Sequence, residues 1–411
     1  MEGDRPSTLL DRYVAAGRGE TTWEVRASLP GGGVALRLRS QTWRGIRWEH
    51  RLRALPPPAG GRAGVVWLHI TGSGDGELDW MVLTALSARA GCAVAMLQDV
   101  PNQPLFGELT EDTLIAHTFA QYLASGEPDW PLLLPMTRAA VAAMDALQDW
   151  AARGQGVPSP SFIVSGASKR GWTTYLTAAV DRRVIGLAPL VYDNLRLEVQ
   201  LARQRDVFGE ALSPEIADYV RAGVVAQATS VRGRELLAAV DPWTYRERLR
   251  QPKMLLLGTN DPYWPVDALG LYRDDLRGPT GVAYFPNAGH GLGDPTRVLL
   301  SLLALYRGTV DGLPLPQVRV ETTRQGGGWT VCAEAGPLPV RLWHARSSSQ
   351  DFRQAVWGMH PASAGPSLEI PVAAEPHAWQ AVFAEALVPF EGQELGLDTP
   401  VRVLPPQDPG S

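Results

Sequence analysis

The sequence predicts an α/β protein: a doubly wound, mostly parallel sheet carrying a helical lid, with a small C-terminal β-sandwich added to it. Three observations predict it. Between about residues 60 and 310, short apolar runs alternate with longer segments of helical spacing. A short run that is apolar throughout suits a strand buried on both faces of a sheet. Before residue 60 the chain alternates at period two, and after Pro314 it breaks into strand-like pieces separated by Gly, Pro and Ser. Its 411 residues, 45% hydrophobic and 20% charged, suffice for one large core or two domains and lack the signature of disorder.

Residues 22–29, 34–41 and 47–54 interleave β-branched, aromatic and charged side chains, as half-buried strands do. Residues 30–33 supply the first turn, and the Pro- and Gly-rich 56–61 close this block of 1–60. Residues 65–70 form the first buried strand, followed by a glycine-rich turn and a helical pattern over 79–89. The next strand is 93–98. Residues 109–125 and 134–153 read as long helices. Residues 162–164 run into a sharp Gly-Ser turn, and 172–180 continue as a helix. Further strands fall at 184–191, 254–257 and 282–285, and an apolar helix at 296–306 closes a core of 61–312. Within it, 195–250 is a charged, irregular helical stretch, expected to form the lid. Five strands at 318–323, 329–334, 340–344, 367–372 and 378–384 suggest an immunoglobulin-like sandwich over 317–405.

Composition excludes several classes of function. Asp and Glu number 43 against 38 Lys and Arg, a net charge of -5, so no broad attraction to nucleic acid or an anionic membrane is expected. Two cysteines, Cys92 and Cys332, form neither a disulfide framework nor a Cys-rich metal site. No run approaches the ~18 apolar residues of a membrane span, and the first eleven residues do not read as a signal peptide, so a cytoplasmic address is expected. Only Lys169 and Lys253 are lysines; the other 36 basic residues are arginines. Coding bias accounts for that excess and makes each remaining lysine a position to inspect.

The strongest local motif is Gly166-Ala167-Ser168-Lys169-Arg170-Gly171, between the strand at 162–164 and the helix after Trp172. A serine among glycines at a strand-to-helix turn is the nucleophile elbow of α/β-hydrolases. The motif departs from strict G-x-S-x-G, because Arg170 stands where the second glycine belongs and Gly171 comes one residue later. Beyond later strands come Gly258-Thr259-Asn260-Asp261-Pro262 and Asn287-Ala288-Gly289-His290-Gly291. The order Ser168, Asp261, His290 is the one α/β-hydrolases use: an imidazole takes the hydroxyl proton, and a carboxylate fixes the imidazole. Taken singly, a turn histidine is usually solvated and an Asp before Pro caps a turn. Of seven histidines only His290 has the position of a general base, whereas His69 reads as a satisfied core residue. Asp193 is the alternative acid.

The loop Thr71-Gly72-Ser73-Gly74-Asp75-Gly76 lacks the Gly-Lys-Ser/Thr of a phosphate cradle and has Glu77 where a dinucleotide motif needs glycine. It fits an oxyanion loop better: backbone N–H groups near Gly72 or Ser73 would join that of Lys169, each donor lowering the barrier by on the order of 3 kcal/mol. A plain glycine turn is the other reading. No Ser-x-x-Lys pair, H-E-x-x-H or tight His/Asp/Cys cluster is present, so no metal and no cofactor is implied.

The segment from Gly166 to Thr174 resembles the PhoPQ-activated pathogenicity-related protein family. So do Val100-Pro101-Asn102-Gln103-Pro104-Leu105, Glu111-Asp112-Thr113-Leu114-Ile115-Ala116, the run from Gly258 to Ala268, and Pro286-Asn287-Ala288-Gly289-His290-Gly291. The resemblance implies an α/β-hydrolase related to autocrine proliferation repressor proteins, with Ser168 as nucleophile, Asp261 as acid and His290 as base. It supplies no substrate. Many members of that family are exported, from which the missing signal peptide departs. A weaker similarity is to glucuronoyl esterases, whose elbow carries a basic residue directly after the serine. It implies that Lys169 lends charge to the oxyanion or to an acidic substrate, with Arg170 pairing structurally. Gln103, Tyr263 and Trp264 are candidate substrate contacts. The expected activity is that of a serine hydrolase, a carboxylesterase on a small-molecule or peptide-like substrate. A non-catalytic signalling or binding protein on the same scaffold and a serine peptidase are the alternatives.

Overall fold

A capping box opens the first helix. The Thr8 hydroxyl oxygen accepts from the Asp11 N–H at 3.2 Å, and the Asp11 carboxylate accepts from the Thr8 N–H at 2.8 Å, which opens helix α1, Leu9–Ala16. The sequence reading left this helix out, although Thr8-x-x-Asp11 carries its signal. The computed structural model describes residues 7–17, 19–154, 160–325, 328–363, 367–373 and 377–406. They form two compact units, Met1–Leu190 with Ile216–Pro252, and Val191–Glu215 with Lys253–Ser411.

In the first unit β1 (Thr22–Leu29), β2 (Gly33–Trp43) and β3 (Ile46–Leu55) make an antiparallel meander. β4 (Val65–Ile70), helix α2 (Glu77–Ala90), β5 (Ala93–Leu97), α3 (Glu111–Ser125), α4 (Leu133–Gly154), β6 (Ser161–Ala167), α5 (Lys169–Val180) and β7 (Val184–Leu190) follow. β3 joins β5 antiparallel, whereas β5, β4, β6 and β7 are mutually parallel, giving the order β1-β2-β3-β5-β4-β6-β7. This is the mixed, mostly parallel sheet that the apolar runs predict. Every residue of α5 from Lys169 to Ala179 is buried. Its threonines are tolerated there because Thr173, Thr174 and Thr177 each donate a hydroxyl to the carbonyl one turn back, at 2.8–2.9 Å.

The second unit contains α6 (Leu197–Phe208), while α7 (Ala217–Arg221), α8 (Val224–Gln227) and α9 (Val231–Val240) belong to the first. The stretch read as a lid over 195–250 is thus divided between the units. β8 (Lys253–Gly258) and β9 (Thr280–Phe285) pair in parallel and α10 (Pro295–Val310) follows. Lys253 is fully buried at the head of β8 and its ammonium donates to the Arg277 carbonyl. Burial, with Arg273 nearby, pulls its pKa down to about 7. A lysine can shed its charge in such a place; an arginine cannot.

The C-terminal region forms two antiparallel sheets, one of β10 (Arg319–Gln325), β11 (Gly328–Glu334) and β14 (Ser367–Ala373). The other contains β12 (Val340–Ser347), β13 (Gly358–His360), β15 (Trp379–Phe390), β16 (Gln393–Asp398) and β17 (Arg402–Leu404). Val331 and Val372 of one sheet and Leu342, Val382 and Ala384 of the other share a single apolar cluster. β16 escaped the sequence reading because its charges and Gly396 disfavour a strand. Gly396 is required there because a Cβ would overlap the buried Glu385 carboxylate. That carboxylate accepts from Arg297 of α10 at 2.8 Å and from the Trp343 indole at 2.6 Å, so a buried charge cluster ties α10 to these sheets.

His50 on β3 generates a prediction for acid stability. It is 2% exposed, with one ring nitrogen 2.9 Å from Ser40 Oγ and the other 3.0 Å from the Asp99 carbonyl. Burial lowers its pKa to about 4. A folded pKa below the ordinary value of about 6.5 means stability that is complete above that pH and lost as pH falls towards 4. Chemical denaturation at pH 7.5 and pH 4 should therefore show His50→Gln losing about 3 kcal/mol less than wild type over that interval. Equal losses in both proteins would show that His50 is not the linked group.

Candidate functional site

Parallel strands place their following loops on one edge of the sheet. Ile70 of β4 pairs with Gly166 of β6, so the 71–76 loop and Ser168 leave the same edge of the first unit. Ser168 has φ 58° and ψ −125° between the end of β6 and the start of α5. A non-glycine residue in such a conformation stores roughly 1–3 kcal/mol of strain, a cost that clusters at functional positions. The first glycine of the motif is sterically required, because a Cβ on Gly166 would lie 2.7 Å from the Arg170 carbonyl oxygen.

Arg170, the departure from the two-glycine pattern, turns away from the elbow. Its guanidinium donates to the Val100 carbonyl at 2.5 Å and to both oxygens of Glu111 at 2.7 and 2.8 Å. It passes so close to Gly72 that a Cβ there would sit 2.5 Å from Nη2. Lys169 extends its ammonium to Glu111 at 3.1 Å and Asp112 at 2.9 Å, and Asp112 also accepts from Tyr219 at 2.9 Å. Burial pushes the Glu111 carboxyl upward, but Arg170 and Lys169 outweigh it and hold its pKa near 2. The Lys169 side-chain charge is therefore matched by two carboxylates of its own unit, Glu111 and Asp112. Gln103 is likewise committed. Its amide donates to Glu111 Oε1 at 2.5 Å and accepts from the Glu111 N–H at 2.8 Å, at the start of α3.

His69 donates to or accepts from Ser165 Oγ at 2.9 Å and lies 3.7 Å from Asp79, the satisfied core position expected of it. The carbonyls of Thr71 and Gly72 accept from Val100 and Asp99, which fixes the loop carrying Gly72 and Ser73.

In the second unit Gly258 of β8 pairs with Phe285 of β9, so the loops after them leave one edge together. A Cβ on Gly258 would lie 2.5 Å from the carbonyls of Ala288 and Gly289, so glycine lets the two loops close on each other. They bring Asp261 and His290 into contact, with Nδ1 to Oδ2 at 2.8 Å. Asp261 is 6% exposed, and its other oxygen accepts from the Tyr263 N–H at 3.0 Å. A carboxylate only accepts, so Nδ1 carries the proton of this hydrogen bond and Nε2 points away from Asp261. That Nε2 is buried and has no hydrogen-bond partner among the described residues. The Tyr263 ring lies over the imidazole at 4.5 Å, with Trp264 5.4 Å beyond and Tyr192 6.0 Å from Trp264. Asp193, the alternative acid, accepts from the Tyr272 hydroxyl at 2.7 Å, and burial with Asp261 and Asp267 nearby raises its pKa to about 8. A largely protonated carboxyl cannot serve as the ionised partner of an imidazole. Among the described residues no group of three or more His, Cys, Asp or Glu could hold a metal ion, and no helix is long and apolar enough to cross a membrane.

The sequence reading assigned no role to Glu111 and Asp112. Their signal lay in two adjacent cations, Lys169 and Arg170, at the start of a helix that the pattern buries. The helix dipole and burial both disfavour cations there, so carboxylates had to be supplied from elsewhere.

Three comparisons with known proteins bear on the fold and the family. Autocrine proliferation repressor protein A from Dictyostelium discoideum is 30% identical over 380 residues, which covers 84% of this chain and 76% of that one. An acetyl xylan esterase from Paenibacillus sp. R4 superposes with a TM-score of 0.50 at 15% identity, over 73% of this chain and 92% of that chain, and shows the fold to be that of the α/β-hydrolases. The model of one family matches residues 10–353, a span that takes in Ser168, Asp261 and His290 alike. By that match the chain belongs to the PhoPQ-activated pathogenicity-related protein family.

Proposed function

We propose that this protein is a serine hydrolase, a carboxylesterase acting on a small-molecule ester through Ser168, His290 and Asp261. The observation that carries the proposal is the state of His290. Asp261 fixes its Nδ1 proton, and a buried Nε2 is left without a partner among the described residues. A buried acceptor with no partner is costly, and a general base awaiting a hydroxyl proton is a reason to bear that cost. The strained backbone of Ser168 at a strand-to-helix turn, and the hydrolase fold, support the same reading.

In this mechanism Ser168 Oγ attacks the ester carbonyl carbon while its proton passes to His290 Nε2. Asp261 holds the ring orientation and stabilises the imidazolium. The backbone N–H of Lys169, at the first turn of α5, and those of Gly72 or Ser73 stabilise the oxyanion. The imidazolium returns its proton to the leaving alkoxide, giving the alcohol and an acyl-serine. Water, deprotonated by His290, then attacks the acyl carbon and releases the acid and free Ser168. Tyr263 and Trp264 form an aromatic wall beside the base, where an acyl or alcohol group would lie.

A fluorophosphonate probe tests this directly. Wild type should be labelled, Ser168→Ala should not, and Asp261→Asn should turn over p-nitrophenyl acetate about 10⁴-fold more slowly. Folded wild-type protein that resists labelling would favour a binding protein on a hydrolase scaffold. The charge balance around Lys169 makes a second prediction. Lys169→Met should change kcat/KM for an acidic ester and its neutral isostere by the same factor. A loss confined to the acidic ester would return Lys169 to substrate recognition.

A further inference from the structure

The two loops of the acid–base pair are each flanked by an asparagine, and both asparagines reach the same segment of the C-terminal region. Asn260 precedes Asp261. Its Nδ2 donates to the carbonyls of Ala355 at 2.7 Å, Arg353 at 3.1 Å and Phe352 at 3.5 Å. Asn287 lies three residues before His290 and makes a two-point bridge to Trp357, donating to its carbonyl at 3.0 Å and accepting from its N–H at 2.7 Å. The loops are also joined to each other, since the Asn260 N–H donates to the Ala288 carbonyl at 2.9 Å and the Asn287 N–H to Thr259 Oγ1 at 2.9 Å.

The segment that receives these bonds is itself anchored. Asp351 accepts from the Arg353 N–H at 3.0 Å and guanidinium at 2.6 Å, which closes a tight turn. Ser347 at the end of β12 donates to the Asp351 carbonyl at 2.7 Å. Phe352 and Trp357 are 1% and 3% exposed, and the Trp357 ring lies 5.3 Å from Phe383 in β15. Arg353 stacks over Phe208 at the end of α6 at 4.0 Å. The chain spends both polar atoms of the Asn287 amide on the backbone of one residue, Trp357, at a position whose φ of 61° asparagine tolerates better than most side chains.

We propose that residues 351–357 are a positioning element for catalysis: by holding Asn260 and Asn287, the C-terminal β region sets the geometry of Asp261 and His290. Asn260, Asn287 and Trp357 are positioning residues, since none of them touches the reacting atoms. The inference rests on the hydrolase reading for its catalytic consequence, but the ordering of the two loops can be measured without it.

The test uses full-length Asn260→Ala, Asn287→Gly and Asn287→Asp. Glycine keeps the positive φ and removes the bridge, so it separates the hydrogen bonds from backbone strain; aspartate keeps the acceptor for Trp357 and should rescue in part. With p-nitrophenyl acetate, kcat should fall about 10- to 100-fold in the first two variants with KM nearly unchanged, as a sub-ångström to ångström displacement of a catalytic group produces. Asn287→Asp should fall between Asn287→Gly and wild type. Hydrogen exchange should accelerate in peptides covering 259–264 and 286–292 while those of β11 and β12 keep wild-type protection. Unchanged exchange in the two loops, unchanged kcat, or loss of protection throughout the chain would each overturn the proposal. Should wild type prove inactive towards ester and probe, the hydrolase reading fails, and the exchange data alone decide whether the segment orders the two loops.

Discussion

Two adjacent cations at the start of a buried helix set the terms for the first unit. Lys169 and Arg170 follow the strained Ser168 directly, and both lie on the first turn of α5, where the helix dipole disfavours positive charge. Leaving either one unpaired in the interior would cost several kcal/mol. Glu111 and Asp112 answer both charges, and much of the surrounding backbone is arranged to let them. Gln103 caps α3 and orients Glu111, the Val100 carbonyl accepts the Arg170 Nε–H, and Gly72 leaves room for the guanidinium to pass. The elbow is thus held from beneath by a neutral network that keeps the start of α5 rigid.

The second unit solves a different problem, that of holding a carboxylate and an imidazole on two loops. Loops alone are poor at fixing geometry, because few buried apolar contacts restrain them. Here β8 and β9 launch the loops in parallel, Gly258 lets them touch, and Asn260 and Asn287 fasten them to residues 351–357. The buried cluster of Arg297 with Glu385 joins α10 to the same C-terminal sheets. In this unit the antiparallel sheets serve as structural support for the α/β elements.

Much of the fold was legible in the sequence. Period-two alternation marked β1 to β3, and apolar runs marked β4, β5, β7, β8 and β9 within a residue or two of their observed bounds. What escaped was of two kinds. Helix α1 is short and its stability comes from its cap and from Arg248 pairing with Asp11 at 2.8 Å, a contact 237 residues away in sequence. Strand β16 reads as polar, with only Leu395 and Leu397 as large apolar residues, and its buried Asp398 is tolerated because Arg297 donates to it at 3.1 Å. The candidate site was legible as an order of residue types, Ser168 then Asp261 then His290, because strand-end placement follows from topology.

By itself, then, the sequence determined the alternation of strand and helix, the turn at Ser168 and the placing of Asp261 and His290 past successive strands, since these depend on local pattern and on topology. Tertiary structure decided which groups were already occupied. The sequence showed Lys169 beside the serine as a conspicuous charge, and only folding revealed two carboxylates from α3 waiting for it. It offered Asp193 and Asp261 as rival acids, and burial separated them by keeping one protonated while His290 met the other. Charge pairing and desolvation depend on residues far apart in the chain, so they belong to the folded molecule and not to any segment of it.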